Sequence, residues 1–312
     1  MNKRFLLTCL VTALVWLCLV KGNAQDNTGD NQPKTILFIG NSFTFAHGSS
    51  AMFYHPETVT DLNHTRIGGV PALFKTLTSE AGLNFLVSLE TSPGKNLEFH
   101  LKEKSTIIAK PWDFVVMHGY STLDKQNPGD PTELIASTKE MALLLRSKNA
   151  NVDIHLLATW SRADQTYLSS GHWYGKPIDR MALDIRNGYD LAAKNADIKD
   201  VIPVGEAFNR AIKTGVADSN PYDGIVAGQL DLWTYDNYHA SSYGYYLEAL
   251  MDFGSITGYD PLSFGNKERA AIELGFSAEQ AVALQRIAHD ELSARVGTVP
   301  LKTFDLKQIN QQ

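Results

Sequence analysis

Short apolar runs alternate with longer stretches of helical periodicity five times along the chain, and this alternation limits the possible folds more than any other feature. Strands are expected at 35–39, 85–89, 114–117, 154–158 and 201–204. Helices are expected at 71–81, 97–109, 132–147 and 179–196, the third opening just after Pro131, and two more follow at 241–256 and 277–295. Ser277 and Gln280 have the spacing of a capping box at the last of these. A strand that is followed each time by a helix builds a parallel sheet with right-handed crossovers and helices on both faces. The expectation is therefore an α/β fold in three layers, α/β/α, around a five-stranded parallel sheet. The segment 45–69 breaks the rhythm, and a stretch of that length without periodicity inside a compact domain reads as a binding loop or lid.

The first residues belong to a different kind of segment. Lys3 and Arg4 precede an apolar run over 5–20, and small residues follow up to Ala24, the pattern of a secretory signal peptide cut after Ala24. The run is shorter than the roughly 20 residues that span a bilayer, so no stable membrane anchor is expected. Residues 25–34 read as a disordered leader and 35–312 as a single domain, located in the periplasm or secreted. Both cysteines, Cys9 and Cys18, fall in the cleaved segment, which leaves no thiol chemistry to the exported form. With 28 basic against 34 acidic residues the formal charge is −6 and no basic run stands out, which argues against a nucleic-acid partner. The chain carries no signal for an oligomeric state.

In an open parallel sheet, ligands bind beyond the carboxyl ends of the strands. Those ends carry Gly40-Asn41-Ser42-Phe43-Thr44, then Ser92-Pro93-Gly94, then His118-Gly119-Tyr120-Ser121, then Thr159-Trp160-Ser161, with Asp236-Asn237-Tyr238-His239 further along. A serine hydroxyl becomes a nucleophile when a histidine takes its proton, and the histidine needs a carboxylate to fix its tautomer. Ser42, His239 and Asp236 supply that set, and the backbone amides of Ser42 and Gly94 can hold an oxyanion. Each residue also has a plainer reading. Ser42 can cap a turn, Asp236 and His239 can cap the helix at Ser241, Gly94 can serve only a turn, and Trp160 and Tyr238 can be packing aromatics. His47, His55 and His64 in the segment 45–69 fit no metal-binding spacing, so no metal is expected, and no organic cofactor is implied.

These residues resemble the conserved blocks of the SGNH, or GDSL-type, serine hydrolases. The run from Ile36 to Thr44 is similar to the block that carries the nucleophile, with Asn41 where an aspartate is commoner. Gly94 followed by Leu97 and His100 is similar to the second block. Asp236 to His239 followed by Ser241, Gly244 and Tyr245 is similar to the last block, and the form matches a little-characterised bacterial branch. The resemblance implies a flavodoxin-like hydrolase fold, the triad Ser42, His239 and Asp236, and an oxyanion hole built on Ser42 and Gly94. The family's third donor, an asparagine, is missing from Gly119-Tyr120-Ser121-Thr122, and His118 or Ser121 stands in its place. No G-x-S-x-G elbow of the other large hydrolase class occurs.

The function this implies is an exported serine esterase that removes a small acyl group, acetyl above all, from a carbohydrate. Asn41, Trp160 and Tyr238 are expected at the substrate, with Trp173, Tyr174 and Trp233 as further surfaces on which sugar rings stack. The partner is then a small-molecule or polysaccharide ester. Two alternatives stay open: a lipolytic esterase or thioesterase with an apolar acyl groove on the same fold, and a noncatalytic glycan-binding relative.

Overall fold

The structure, a computed structural model, describes residues 32–295 and 300–306, so the expected signal peptide and residues 25–31 of the expected leader lie outside the described residues. Six strands form one sheet: β1 (Lys34–Gly40), β2 (Thr60–Asp61), β3 (Phe85–Thr91), β4 (Phe114–Met117), β5 (Asp153–Ala158) and β6 (Asp200–Pro203). Their order is β2-β3-β1-β4-β5-β6, and every pairing is parallel. The sheet thus has one strand more than the five expected. The addition, β2, is two residues at the sheet's edge inside the segment without periodicity, too short to give a pattern. Lys34, the first residue of β1, pairs with Phe85 of β3, so the strand begins one residue inside the expected leader.

Period-two alternation divides β1 between two cores. Ile36 and Phe38 pack with α1 (Gly69–Glu80), α6 (Val204–Lys213), α7 (Ser242–Thr257) and α9 (Ala278–Ser293). Leu37 and Ile39 face the other way, onto α2 (Leu97–Ile108), α3 (Thr132–Arg146) and α5 (Asp179–Asn195). Burial on both faces accounts for the continuous apolar run Ile36 to Ile39 and for the three layers. The short helices α4 (Ala163–Tyr167) and α8 (Arg269–Glu273) lie in connections, and the capping box of Ser277 and Gln280 opens α9 as the spacing predicts. No helix among the described residues is long and apolar enough to cross a membrane.

The strand order fixes where a site can form. From β1 the chain builds outward on one side through β3, then crosses to β4 and continues to β6. The loops after β1, β3 and β4 therefore splay apart around the end of β1, the switch point where a crevice opens in folds of this kind.

Candidate active site

The turn that carries Ser42 grows directly from β1. At Gly40 a Cβ would stand 2.1 Å from Thr44 Oγ1 and 2.4 Å from His118 Nε2, so only glycine lets those side chains close over the strand end. The chain then coils tightly: the amides of Phe45, Ala46 and His47 donate to the carbonyls of Asn41, Phe43 and Ser42 at 3.2, 3.1 and 3.0 Å. Asn41 locks the turn to its neighbours. Its Nδ2 donates to the carbonyls of Lys95 (2.9 Å) and Gly119 (3.1 Å), and its Oδ1 accepts from the Phe43 amide (3.1 Å). Both amide protons are engaged and the residue is buried, so Asn41 ties the loops after β1, β3 and β4 together and, where the sequence suggested a substrate contact, it is not among the residues that line the cavity described below.

Ser42 and the Asp236–His239 turn meet across a separation of 197 residues. Ser42 Oγ lies 2.8 Å from His239 Nε2, and His239 Nδ1 lies 2.6 Å from Asp236 Oδ2. The other carboxylate oxygen accepts from the Tyr238 amide (3.0 Å), the His239 amide (2.9 Å) and the Thr234 hydroxyl (2.8 Å). Burial pushes the Asp236 carboxyl up, but the hydrogen bonds from His239, Thr234 and Tyr238 outweigh it and hold the group at about 2. His239 is moved below its ordinary value by burial, against the pull of Asp236, with His47 and Arg162 adding to the depression. A neutral imidazole beside an ionised carboxylate carries its proton on Nδ1 and turns the Nε2 lone pair to Ser42, the arrangement a general base requires. The cap of α7 is Ser241, whose hydroxyl accepts from the Gly244 amide, so Asp236 and His239 do not serve as that cap.

Aromatic packing holds the histidine in place. The Tyr238 ring stacks on His239 with centroids 4.1 Å apart, and the Arg162 guanidinium lies 3.5 Å from the Tyr238 centroid. Trp160 is fully buried, stacked on Phe43 (4.2 Å) and Phe208 (5.0 Å), with its Nε1–H directed to the Tyr238 carbonyl. It is core behind the turn that carries Ser42, which corrects its expected place at the substrate. Trp173 and Trp233 are buried too, their Nε1–H groups donating to Asp184 (2.9 Å) and to the Ser161 carbonyl (3.0 Å), and only Tyr174 of the expected sugar platforms is exposed.

Ser42, His239 and Gly94 line one cavity of about 520 Å³, together with Tyr238 and the apolar side chains Phe45, Met52, Ile67 and Pro93. Much of this wall comes from the segment 45–69, as a binding loop would supply. Gly94 has φ +64°, a backbone that favours glycine, and open space where a Cβ would stand. The amides of Ser42 and Gly94 have no hydrogen-bond partner among the described residues. Glu90 and His100, both fully buried and paired through His100 Nδ1, brace the loop that presents Gly94. This explains the histidine six residues beyond that glycine, whose role the sequence left unread.

His118 has no free N–H to donate in place of the missing asparagine, and Ser121 lies off the cavity lining. His118 Nδ1 lies 2.9 Å from the Gly119 carbonyl, which can only accept, so Nδ1 carries the proton and Nε2 accepts from Thr44 Oγ1 at 2.7 Å. Burial drives His118 down to about 4, against the Gly119 bond, so it stays neutral with its single N–H engaged. Ser121 accepts from Arg162 Nη1 at 3.2 Å and is not among the residues that line the cavity. Of the loop histidines, His55 sits between Glu57 and Glu273, each 3.0 Å away, while His47 reaches the cavity and was missed as a site residue because loop histidines have no periodicity to place them.

No family model matches the chain, and no curated protein is similar to it in sequence. Solved structures do match. A DUF4886 family protein from Bacteroides uniformis aligns with 89% of this chain and 99% of its own at 18% identity and a TM-score of 0.57. A candidate GDSL-like lipase from Parabacteroides merdae aligns with 73% of this chain and 96% of its own, at 18% identity and a TM-score of 0.52. The three-layer fold is thus shared with these proteins, in agreement with the architecture that the sequence blocks imply.

Proposed function

We propose that the protein is a serine hydrolase of carboxylic esters, with Ser42 as nucleophile, His239 as general base and Asp236 as the group that orients it. The observation that carries this reading is the continuous chain Ser42 Oγ, His239 Nε2, His239 Nδ1, Asp236 Oδ2, with links of 2.8 and 2.6 Å, on the wall of an apolar cavity. His239 takes the hydroxyl proton as Ser42 attacks the ester carbonyl. The amides of Ser42 and Gly94 receive the developing oxyanion, each donor contributing about 3 kcal/mol. His239 then protonates the leaving alcohol and activates the water that releases the acid. With the His118 N–H engaged and Ser121 absent from the cavity lining, the oxyanion hole in this reading has two backbone donors and no side-chain third.

The lining by Phe45, Met52, Ile67 and Pro93 supports an acyl chain larger than acetyl, because an acetyl group would leave most of that apolar surface wet. The deacetylation reading loses three of its expected aromatic platforms, since Trp160, Trp173 and Trp233 are buried, and keeps Tyr238 at the cavity and the exposed Tyr174. The apolar-groove alternative is therefore favoured. The test is hydrolysis of p-nitrophenyl acetate, butyrate and octanoate by the wild type, Ser42→Ala and His239→Ala. The expected result is a kcat/KM that rises from acetate to butyrate and vanishes in both variants. A preference for acetate counts against the acyl cavity, and undiminished turnover in Ser42→Ala refutes the mechanism.

A further inference from the structure

The mechanism leaves one cavity imidazole without a role. His47 lines the same wall as Ser42 and His239, and its ring centroid is 4.6 Å from that of His239. Its position is fixed by the nucleophile's own turn, through the bond from its amide to the Ser42 carbonyl at 3.0 Å, and by an edge contact with Phe45 at 6.0 Å. Neither ring nitrogen has a hydrogen-bond partner among the described residues.

Geometry decides which half of an ester meets this ring. The carbonyl oxygen is drawn to the amides of Ser42 and Gly94. The leaving oxygen must come within about 3 Å of His239 Nε2 to be protonated. A ring tilted against His239, with centroids 4.6 Å apart, is therefore placed to meet the atoms next to that oxygen, which belong to the alcohol. The acyl half has the apolar side chains to cover it, while His47 offers a donor and an acceptor to whatever the alcohol carries.

We propose that His47 is a specificity-determining residue whose imidazole hydrogen bonds a hydroxyl adjacent to the esterified oxygen, so that the substrates are acyl esters of polyols, either glycerol or a sugar. The inference rests on the ester-hydrolase reading. One neutral hydrogen bond of this kind discriminates by about tenfold between alcohols that have and lack the hydroxyl.

The experiment compares kcat/KM for three butyrate esters that share an acyl group: glycerol monobutyrate, methyl glucoside butyrylated on its primary hydroxyl, and ethyl butyrate. Each is measured with the wild type, with His47→Phe, which keeps a ring against Phe45 and His239 but has no nitrogen, and with His47→Asn, which restores a donor and an acceptor. The ratio of polyol ester to ethyl ester is expected to fall about tenfold in His47→Phe and to recover partly in His47→Asn. Whichever polyol ester shows the drop names the alcohol. A ratio that His47→Phe leaves within about twofold of the wild type overturns the inference, because a packing role would lower all three esters together. Turnover of p-nitrophenyl butyrate that survives Ser42→Ala is a separate failure, that of the ester-hydrolase reading itself.

Discussion

Asp236→Asn separates the carboxylate's chemical role from its structural one. Three of the four hydrogen bonds at Asp236 end on Oδ1, from the Tyr238 and His239 amides and the Thr234 hydroxyl, and an asparagine carbonyl oxygen can accept all three. The turn should therefore survive. The fourth bond, between Oδ2 and His239 Nδ1 at 2.6 Å, is the one that changes. An amide NH2 in that place donates to Nδ1, which forces the imidazole proton onto Nε2 and points it at Ser42 Oγ, 2.8 Å away. A histidine in that tautomer cannot take the serine's proton. The loss from such a reversal is about 10⁴ in kcat, or roughly 5 kcal/mol of transition-state stabilisation. The assay is kcat/KM for p-nitrophenyl butyrate beside a thermal melt. A fall of at least about 10³ with Tm changed by only a few degrees is expected. A fall of less than about tenfold, with the fold intact, would refute the assignment of Asp236 as the group that sets the tautomer.

Three further outcomes follow from the same geometry. Because burial holds His239 below its ordinary value and the base must be neutral, kcat/KM should rise with pH and level off with an inflection below about 6.5; an inflection above about 7 contradicts the environment described. Trp160→Ala should cost about 3–5 kcal/mol by opening a cavity between Phe43 and Phe208, lowering Tm by about 10 °C in a melt, whereas a variant with unchanged Tm and a raised KM would restore Trp160 to the substrate. Asp252 is fully buried beside Glu248 with both carboxylate oxygens unpartnered among the described residues, and burial raises its pKa well above the usual range. A carboxyl raised in this way contributes its full stability below the unfolded value and loses it as pH rises through the folded one, so Asp252→Asn should raise Tm more at pH 9 than at pH 5. Equal shifts at the two pH values would place the proton elsewhere.

The strands were legible because burial on both faces writes continuous apolar runs such as Ile36 to Ile39, and the longer helices because they repeat at their own period. β2 left no trace, since two residues at an edge carry no alternation. α6 went without an expected range, although Val204, Ala207, Phe208 and Ala211 repeat at helical spacing, because it follows β6 with no turn residue between them. At the site, strand ends and short motifs offered Ser42, Gly94, Asp236 and His239 beside plainer capping and turn readings, and the resemblance to the hydrolase blocks set them apart. The parts that could not be read depend on contacts distant in sequence. Whether His118 has a free N–H is decided by Thr44, 74 residues away, and Asn41 is saturated by Lys95 and Gly119. Trp160 sits at a strand end like a ligand platform, but Phe208, on a helix that the sequence left without bounds, covers it.

The central claim is that Ser42 Oγ is an activated nucleophile open to the cavity. Treatment of the folded protein with a fluorophosphonate, read by intact mass and peptide mapping, tests it most directly, since the reagent bonds to a serine whose proton a neighbouring histidine removes. The account predicts one adduct per chain, on Ser42, absent from Ser42→Ala and strongly slowed in His239→Ala. A folded wild type that takes up no label, or takes it up equally in Ser42→Ala, would contradict it.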